Sequence, residues 1–185
     1  MKNIFILVLA LFVSTANADV INAFTAEYDA SNWQLTQDHG SAVFSDDKTE
    51  LTLVSSNDGQ TADAITDAIF GNAHADGIIS FDWLYTSDDF PFFDYFGWLL
   101  NDDFSLLSDR GDNAERRQEG SAEFAVEQGD IFGFRMISVD SMEGSATAQI
   151  SNFQFTASEV PEPSSMALFA LVCIFIGLNR RKIAK

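Results

Sequence analysis

Residues 79–85 read ISFDWLY, so that Ile79, Phe81, Trp83 and Tyr85 alternate with Ser80, Asp82 and Leu84. A period of two over a short run is the mark of a strand that lays one face on a core. The pattern repeats on either side: Leu51 and Leu53; Phe96, Trp98 and Leu100; Ala122, Phe124 and Val126; Phe132, Phe134 and Met136; Ala148 and Ile150, then Phe153 and Phe155. Turn chemistry separates the runs at Asn57-Asp58-Gly59, Asp76-Gly77, Arg110-Gly111-Asp112, Gln128-Gly129-Asp130 and Glu143-Gly144-Ser145. About eight to ten strands at this spacing make an all-β fold, an antiparallel β-sandwich or jelly roll. The change of phase between Ile150 and Phe153 predicts a β-bulge near Ser151-Asn152. The segment TADAITDAIF (Thr61 to Phe70) reads equally as strand or as a short turn of helix.

Composition supports a packed interior. The chain has 185 residues, 46% of them hydrophobic and 13% aromatic, with 18 Phe, which excludes wholesale disorder. Positions 19–159 carry 5 basic and 27 acidic residues, a formal charge of −22. Such a surface repels phosphate, so nucleic acid and the headgroups of anionic lipid are poor partners and cations are better ones.

Both ends read as targeting segments. Lys2 supplies a positive start, Ile4 to Val13 is a ten-residue apolar run, and Ala16-Asn17-Ala18 places small residues where a signal peptidase reads them. Cleavage is expected between Ala18 and Asp19, and the apolar run is short of the roughly 20 residues that a membrane span needs. The only cysteine is Cys173, so the exported domain has no disulfide available. The expected organisation is a signal peptide over 1–18, a β-sandwich over 19–158 and a tail over 159–185.

The tail begins with a proline-rich break and continues into 17 residues without a formal charge between Glu162 and Arg180. That is just long enough for a single transmembrane helix. The basic cluster Arg180, Arg181 and Lys182 favours the cytoplasmic side and leaves the acidic domain on the far side, as the signal peptide requires. Pro161 and Pro163 hold the junction extended, open to a processing enzyme. Val160, Pro161, Glu162 and Pro163, the apolar run from Met166 to Leu178, and Arg180, Arg181 and Lys182 together resemble the PEP-CTERM sorting signal of Gram-negative bacteria. The resemblance implies recognition and processing of the tail by the membrane enzyme exosortase, and association with exopolysaccharide and biofilm formation. The domain, over roughly 75–156, also resembles a sandwich recurrent in PEP-CTERM proteins, on Ser80 to Asp88, Asp94 to Gly97, Gly129 to Phe134, Ser138 to Asp140 and Ile150 to Phe153. No particular activity follows from that likeness.

Candidate chemistry is sparse. His39 and His74 are the only histidines, so Cys-His and multi-His zinc sites lack their components. There is no Gly-x-Ser-x-Gly elbow, and carboxylates are too abundant for any pair to mark an acid and a base. The expectation is a protein that is not an enzyme. Asp88, Asp89 and Asp94 flank Phe90-Pro91-Phe92-Phe93 between two strands, with Asp102, Asp103 and Asp140 at other strand ends. Calcium takes six to eight such oxygens from flexible loops, so Asp88, Asp89 and Asp94 are the candidate metal ligands; solvated loop carboxylates are the plainer alternative. Nine of the eighteen residues from Phe81 to Trp98 are aromatic. The in-register rings Phe81, Trp83, Tyr85 and Trp98 are expected in the core, whereas Phe90, Phe92 and Phe93 either fold back or expose a patch. Arg110-Gly111-Asp112 reads as a turn.

Two functions fit these readings. One is an exported surface or extracellular-matrix protein, handled by signal peptidase and exosortase, held in the membrane by its C-terminal helix until processed, and binding polysaccharide or matrix proteins without catalysis. The other is a secreted carbohydrate-active hydrolase on a jelly-roll scaffold.

Overall fold

The computed structural model describes residues 18–60 and 62–158, and Asp19–Ser158 form one compact unit. The signal segment with Ala16, and the tail that carries Val160, Pro161, Glu162, Pro163, Arg180, Arg181 and Lys182, lie outside the described residues. The unit is all-β, with eleven strands in two antiparallel sheets: β1 (Val20–Asn22), β2 (Trp33–Gln37), β3 (Ser41–Phe44), β4 (Leu51–Val54), β5 (Ala64–Phe70), β6 (Gly77–Ser87), β7 (Asp94–Leu100), β8 (Asp103–Leu106), β9 (Arg117–Val126), β10 (Phe132–Ser138) and β11 (Ala146–Ala157). One sheet runs β3-β4-β11-β6-β9, with β1 paired to the far end of β11; the other runs β2-β5-β10-β7-β8. The eleventh strand exceeds the sequence expectation because β1, β3 and β8 are only three or four residues long, too short for a clear alternation. The ambiguous Thr61 to Phe70 segment is strand from Ala64 onward, with Ala64, Thr66, Ala68 and Phe70 turned to the interior.

Alternation holds along the long strands. Ile79, Phe81 and Tyr85 of β6, Phe96 of β7, Phe132, Phe134 and Met136 of β10, and Ala148, Ile150, Phe153 and Phe155 of β11 are buried between the sheets. Trp83 and Trp98 are half-buried and pack against that core; Trp98 stacks flat on Phe124 at 4.0 Å between ring centres. The expected bulge is present: the register of β11 with β6 shifts between Ser151 and Gln154, and Asn152 has φ 50°. The extra residue lets both Ile150 and Phe153 face inward.

Part of the core comes from outside the strands. Phe24 follows β1 and Tyr28 lies in a 3-10 turn over Ala26–Tyr28, and both are fully buried. Phe24 stacks on Phe153 at 4.8 Å, while Trp33 stacks on Phe134 at 5.9 Å and donates from Nε1 to the Tyr28 carbonyl at 3.1 Å. Burial pushes the Tyr28 hydroxyl up to about 12. On the outer face of the second sheet, the Phe104 ring lies over the backbone of Gly97, where a Cβ would meet that ring and the Ser105 carbonyl.

Candidate functional site

One end of the sandwich is finished with polar side chains. The register sets Ser138, the last residue of β10, opposite both Ala64 and Asp94, and Ala146 opposite Ser87. Asp94 is in phase with Phe96, Ser138 with Met136 and Ser87 with Tyr85, so the terminal inward layer holds a carboxylate and two hydroxyls where the layers below hold large apolar groups. The segments 55–60, 88–93 and 139–145 close over this layer and add Ser55, Ser56, Asp89 and Ser141. Burial is nearly complete: Asp94 and Ser141 are 0% exposed, Ser56 and Ser138 1%, Ser55 3% and Asp89 8%.

Several of these groups organise the loops. Ser87 Oγ donates to the Asp89 carbonyl at 2.9 Å and accepts from Asp89 N at 3.1 Å, and Phe90 N donates to Asp89 Oδ1 at 2.5 Å. Ser141 N donates to Ser138 Oγ at 3.1 Å, Ala146 N to Ser55 Oγ at 2.8 Å, and Tyr85 Oη to the Asp94 carbonyl at 2.6 Å. Asp89 Oδ2, Ser56 Oγ and Ser141 Oγ have no protein hydrogen-bond partner, and the carboxylate oxygens of Asp94 have only the adjoining hydroxyls of Ser138 and Ser55, neither in good hydrogen-bond geometry. Burial pushes the Asp94 carboxyl up to about 6; the adjoining hydroxyls of Ser138 and Ser55 act in the opposite direction, and the negative charges of Asp89 and Asp140 add to the rise.

The three expected metal ligands therefore part company. Asp89 and Asp94 share the buried layer, but Asp88 is exposed because β6 turns Ser87 inward and so directs the next residue outward. What Asp88 contributes is main chain: its N donates to the Ser145 carbonyl at 3.0 Å, and its carbonyl accepts from Arg116. Among the described residues no three His, Cys, Asp or Glu side chains come together as a ligand set. Ser55 and Ser141 carry no signal in the sequence, and Ser138 enters there only through the likeness to a recurrent sandwich, not as a site residue. The phase of Ser138 with Phe132, Phe134 and Met136 is the signal that marks it.

Two other surfaces stand out. On the outer face of the first sheet, a groove of about 310 Å³ is lined by Ser80, Asp82, Ser121, Glu123 and Asn152 at the β11 bulge. Ser121 Oγ donates to Asp82 at 2.5 Å and Asn152 Nδ2 at 2.7 Å, which holds the Asp82 carboxyl below its ordinary value. On the other sheet, the Arg110 guanidinium lies over Tyr95 at 3.9 Å and Phe92 at 4.7 Å. Gly111 and Asp112 open a turn that Ala114 N closes by donating to the Gly111 carbonyl at 2.9 Å, with Arg110 just before it. Phe92, at 44% exposed, lies edge-on to Phe93 beneath that guanidinium. His39 sits on the surface 3.2 Å from Asp58, and His74 lies edge-on to Tyr28.

Comparison with known proteins separates the domain from the tail. The sandwich is similar to the secreted serine protease VesC from Vibrio cholerae, at 16% identity and a TM-score of 0.44, over 69% of this chain and 24% of that one. It is similar to a family 35 carbohydrate binding module from Clostridium thermocellum, at 10% identity and TM-score 0.38, over 76% of this chain and 100% of the module. It is similar as well to the CBM22-1 xylan-binding domain of Xyn10C from Paenibacillus barcinonensis, at 10% identity and TM-score 0.39, over 80% and 100%. The chain thus spans about a quarter of the length of VesC. Among curated proteins none matches this sequence. The tail is matched directly: residues 159–182 match the PEP-CTERM protein-sorting motif, so the chain carries that sorting signal.

Proposed function

We propose that this is an exported, exosortase-sorted protein of the cell surface or extracellular matrix, whose β-sandwich serves as a noncatalytic binding or structural domain for exopolysaccharide or matrix proteins. The observation that carries this reading is the sorting motif at 159–182, at the opposite end of the chain from a signal-like segment. The domain between them suits such a location. It folds around a large aromatic core and contains no cysteine, so its stability does not depend on whether its surroundings form disulfides.

Processing is the direct test. In cells that contain an exosortase, mass spectrometry of the mature protein is expected to show Asp19 as the first residue and loss or modification of the apolar stretch from Met166. Replacing Pro161 and Pro163 together with Ala is expected to leave precursor in the membrane, because the extended junction would be lost. Intact Met166 to Lys185 in all mature protein from such cells would sink the proposal. Catalysis is tested separately on a glycan array coupled to a reducing-end assay. Retention without turnover is the expected result, and reducing-end release would turn the assignment to a hydrolase.

A further inference from the structure

The polar layer at the Asp94 end of the sandwich is a costly way to finish a hydrophobic core. A carboxylate taken out of water is tolerated when it is paired, fully hydrogen-bonded or bound to a metal. All five basic residues of the domain are engaged elsewhere: Lys48 with Asp29, Arg110 over Tyr95, Arg116 on the Asp88 carbonyl, Arg117 with Glu119 and Arg135 with Asp67. Asp94 is 0% exposed beside the Asp89 charge, and neither of its oxygens has a well-formed hydrogen bond, the adjoining hydroxyls of Ser55 and Ser138 being its only polar neighbours of opposite effect. Asp89 Oδ2 and Ser141 Oγ are unpartnered.

The geometry points to a binding site for one hard divalent cation, calcium, held by Asp94 and Asp89 and completed by serine hydroxyl and main-chain oxygens of the three closing loops. Two carboxylates neutralise a doubly charged ion, and calcium accepts an irregular oxygen shell of this kind. Magnesium holds its waters tightly and demands an octahedron, so a confined, irregular oxygen layer discriminates against it. The ion would tie together the segments 55–60, 88–93 and 139–145 in a domain without disulfides. This inference is independent of the sorting assignment, since it concerns only the sandwich.

The test uses the full chain in detergent, stripped with EDTA and titrated with calcium chloride by calorimetry. Terbium luminescence excited through Tyr85, whose hydroxyl touches the Asp94 carbonyl, gives a second readout. One ion per chain is expected, with magnesium at least about tenfold weaker. Asp94→Asn and Asp89→Asn are each expected to weaken binding on the order of 100-fold, whereas Asp88→Asn changes it by less than about twofold. Melting temperature supplies an opposite-signed check that also reports folding. In EDTA, Asp94→Asn is expected to melt above the natural protein, because an uncompensated buried charge is gone; in millimolar calcium the order reverses. Sodium chloride at equal ionic strength should not reproduce the calcium shift. No binding by the natural protein, undiminished binding by Asp94→Asn and Asp89→Asn, or a salt effect equal to the calcium effect would each overturn the site and leave the layer to a buried water or a proton.

Discussion

Trp33→Ala is expected to destabilise the domain by about 3–5 kcal/mol, measured by urea unfolding followed through circular dichroism. Trp33 is the first residue of β2, an edge strand, yet it is only 6% exposed. Its ring is within 5.5–5.9 Å, centre to centre, of Phe24, Phe44, Phe70, Phe132, Phe134 and Phe153. Truncation removes the apolar surface that those rings cover and leaves a cavity which a rigid aromatic cage cannot collapse to fill. It also removes the donor to the Tyr28 carbonyl, leaving that group unpaired at a buried position. Trp83→Ala should cost distinctly less, since Trp83 is half-buried and its ring–ring contact is a tilted one with Phe96 at 6.2 Å. A loss below about 1 kcal/mol at Trp33 would mean that the edge strand is not held by this cluster.

Arg135→Met is the second large effect, with an expected loss of about 3–5 kcal/mol. Arg135 meets Asp67 in a bidentate pair, Nε to Oδ1 at 2.8 Å and Nη2 to Oδ2 at 2.6 Å, across the β10–β5 register. Among the described residues the pair is the one salt bridge on a largely apolar outer face, where Ile65, Ile69, Ile137 and Tyr95 surround it in the register. The Asp67 side chain is 8% exposed and that of Arg135 27%, so removing the arginine strands the more deeply buried charge. Asp67→Leu alone should cost less, because Arg135 can reach water. Combining the two changes is expected to return stability to within about 1 kcal/mol of the natural protein, as apolar pairs of similar volume can replace buried ion pairs. Additive losses in the double variant would show that the pair does not act as a unit.

The strands were legible wherever one long run alternated. Phe81, Phe134 and Ile150 face the core because period two leaves no other choice, and even the bulge at Asn152 is written in the spacing from Ile150 to Phe153. The sequence is silent on Phe24 and Tyr28, which enter the core from a loop and a 3-10 turn where no period operates. Pairing order is equally hidden: β11 lies between β4 and β6, set by contacts about 70 to 100 residues apart such as Gln149 with Glu50 and Asn152 with Asp82. At the candidate site, Asp94 was visible as an acid beside a strand, but one acid among 28 carries little signal. Its phase with Phe96 was the better clue, because an aspartate at an inward position is improbable unless something compensates it. The serines were overlooked for the same reason that they fit there: small hydroxyls read as loop residues until the register sets them beside a buried carboxylate.

The pairing of β1 with β11 bears on mechanical load. Val20 pairs with Thr156, and Ala157 N donates to the Asp19 carbonyl at 2.8 Å, so both ends of the domain leave from one pole. β11 runs from there through the middle of the sheet to Ala146, at the opposite pole beside Ser87 and Ser55. A pull on Ser158 against resistance at that far pole acts along β11, and the ladder to β6 is loaded in shear, with its rungs strained together. A pull between Asp19 and Ser158 instead opens the three pairs of β1 one at a time, like a zipper. The same fold is therefore stiff when tugged by a tether at its C-terminus and yielding when its two termini are drawn apart, an asymmetry that single-molecule extension along the two axes would read out as two different rupture forces.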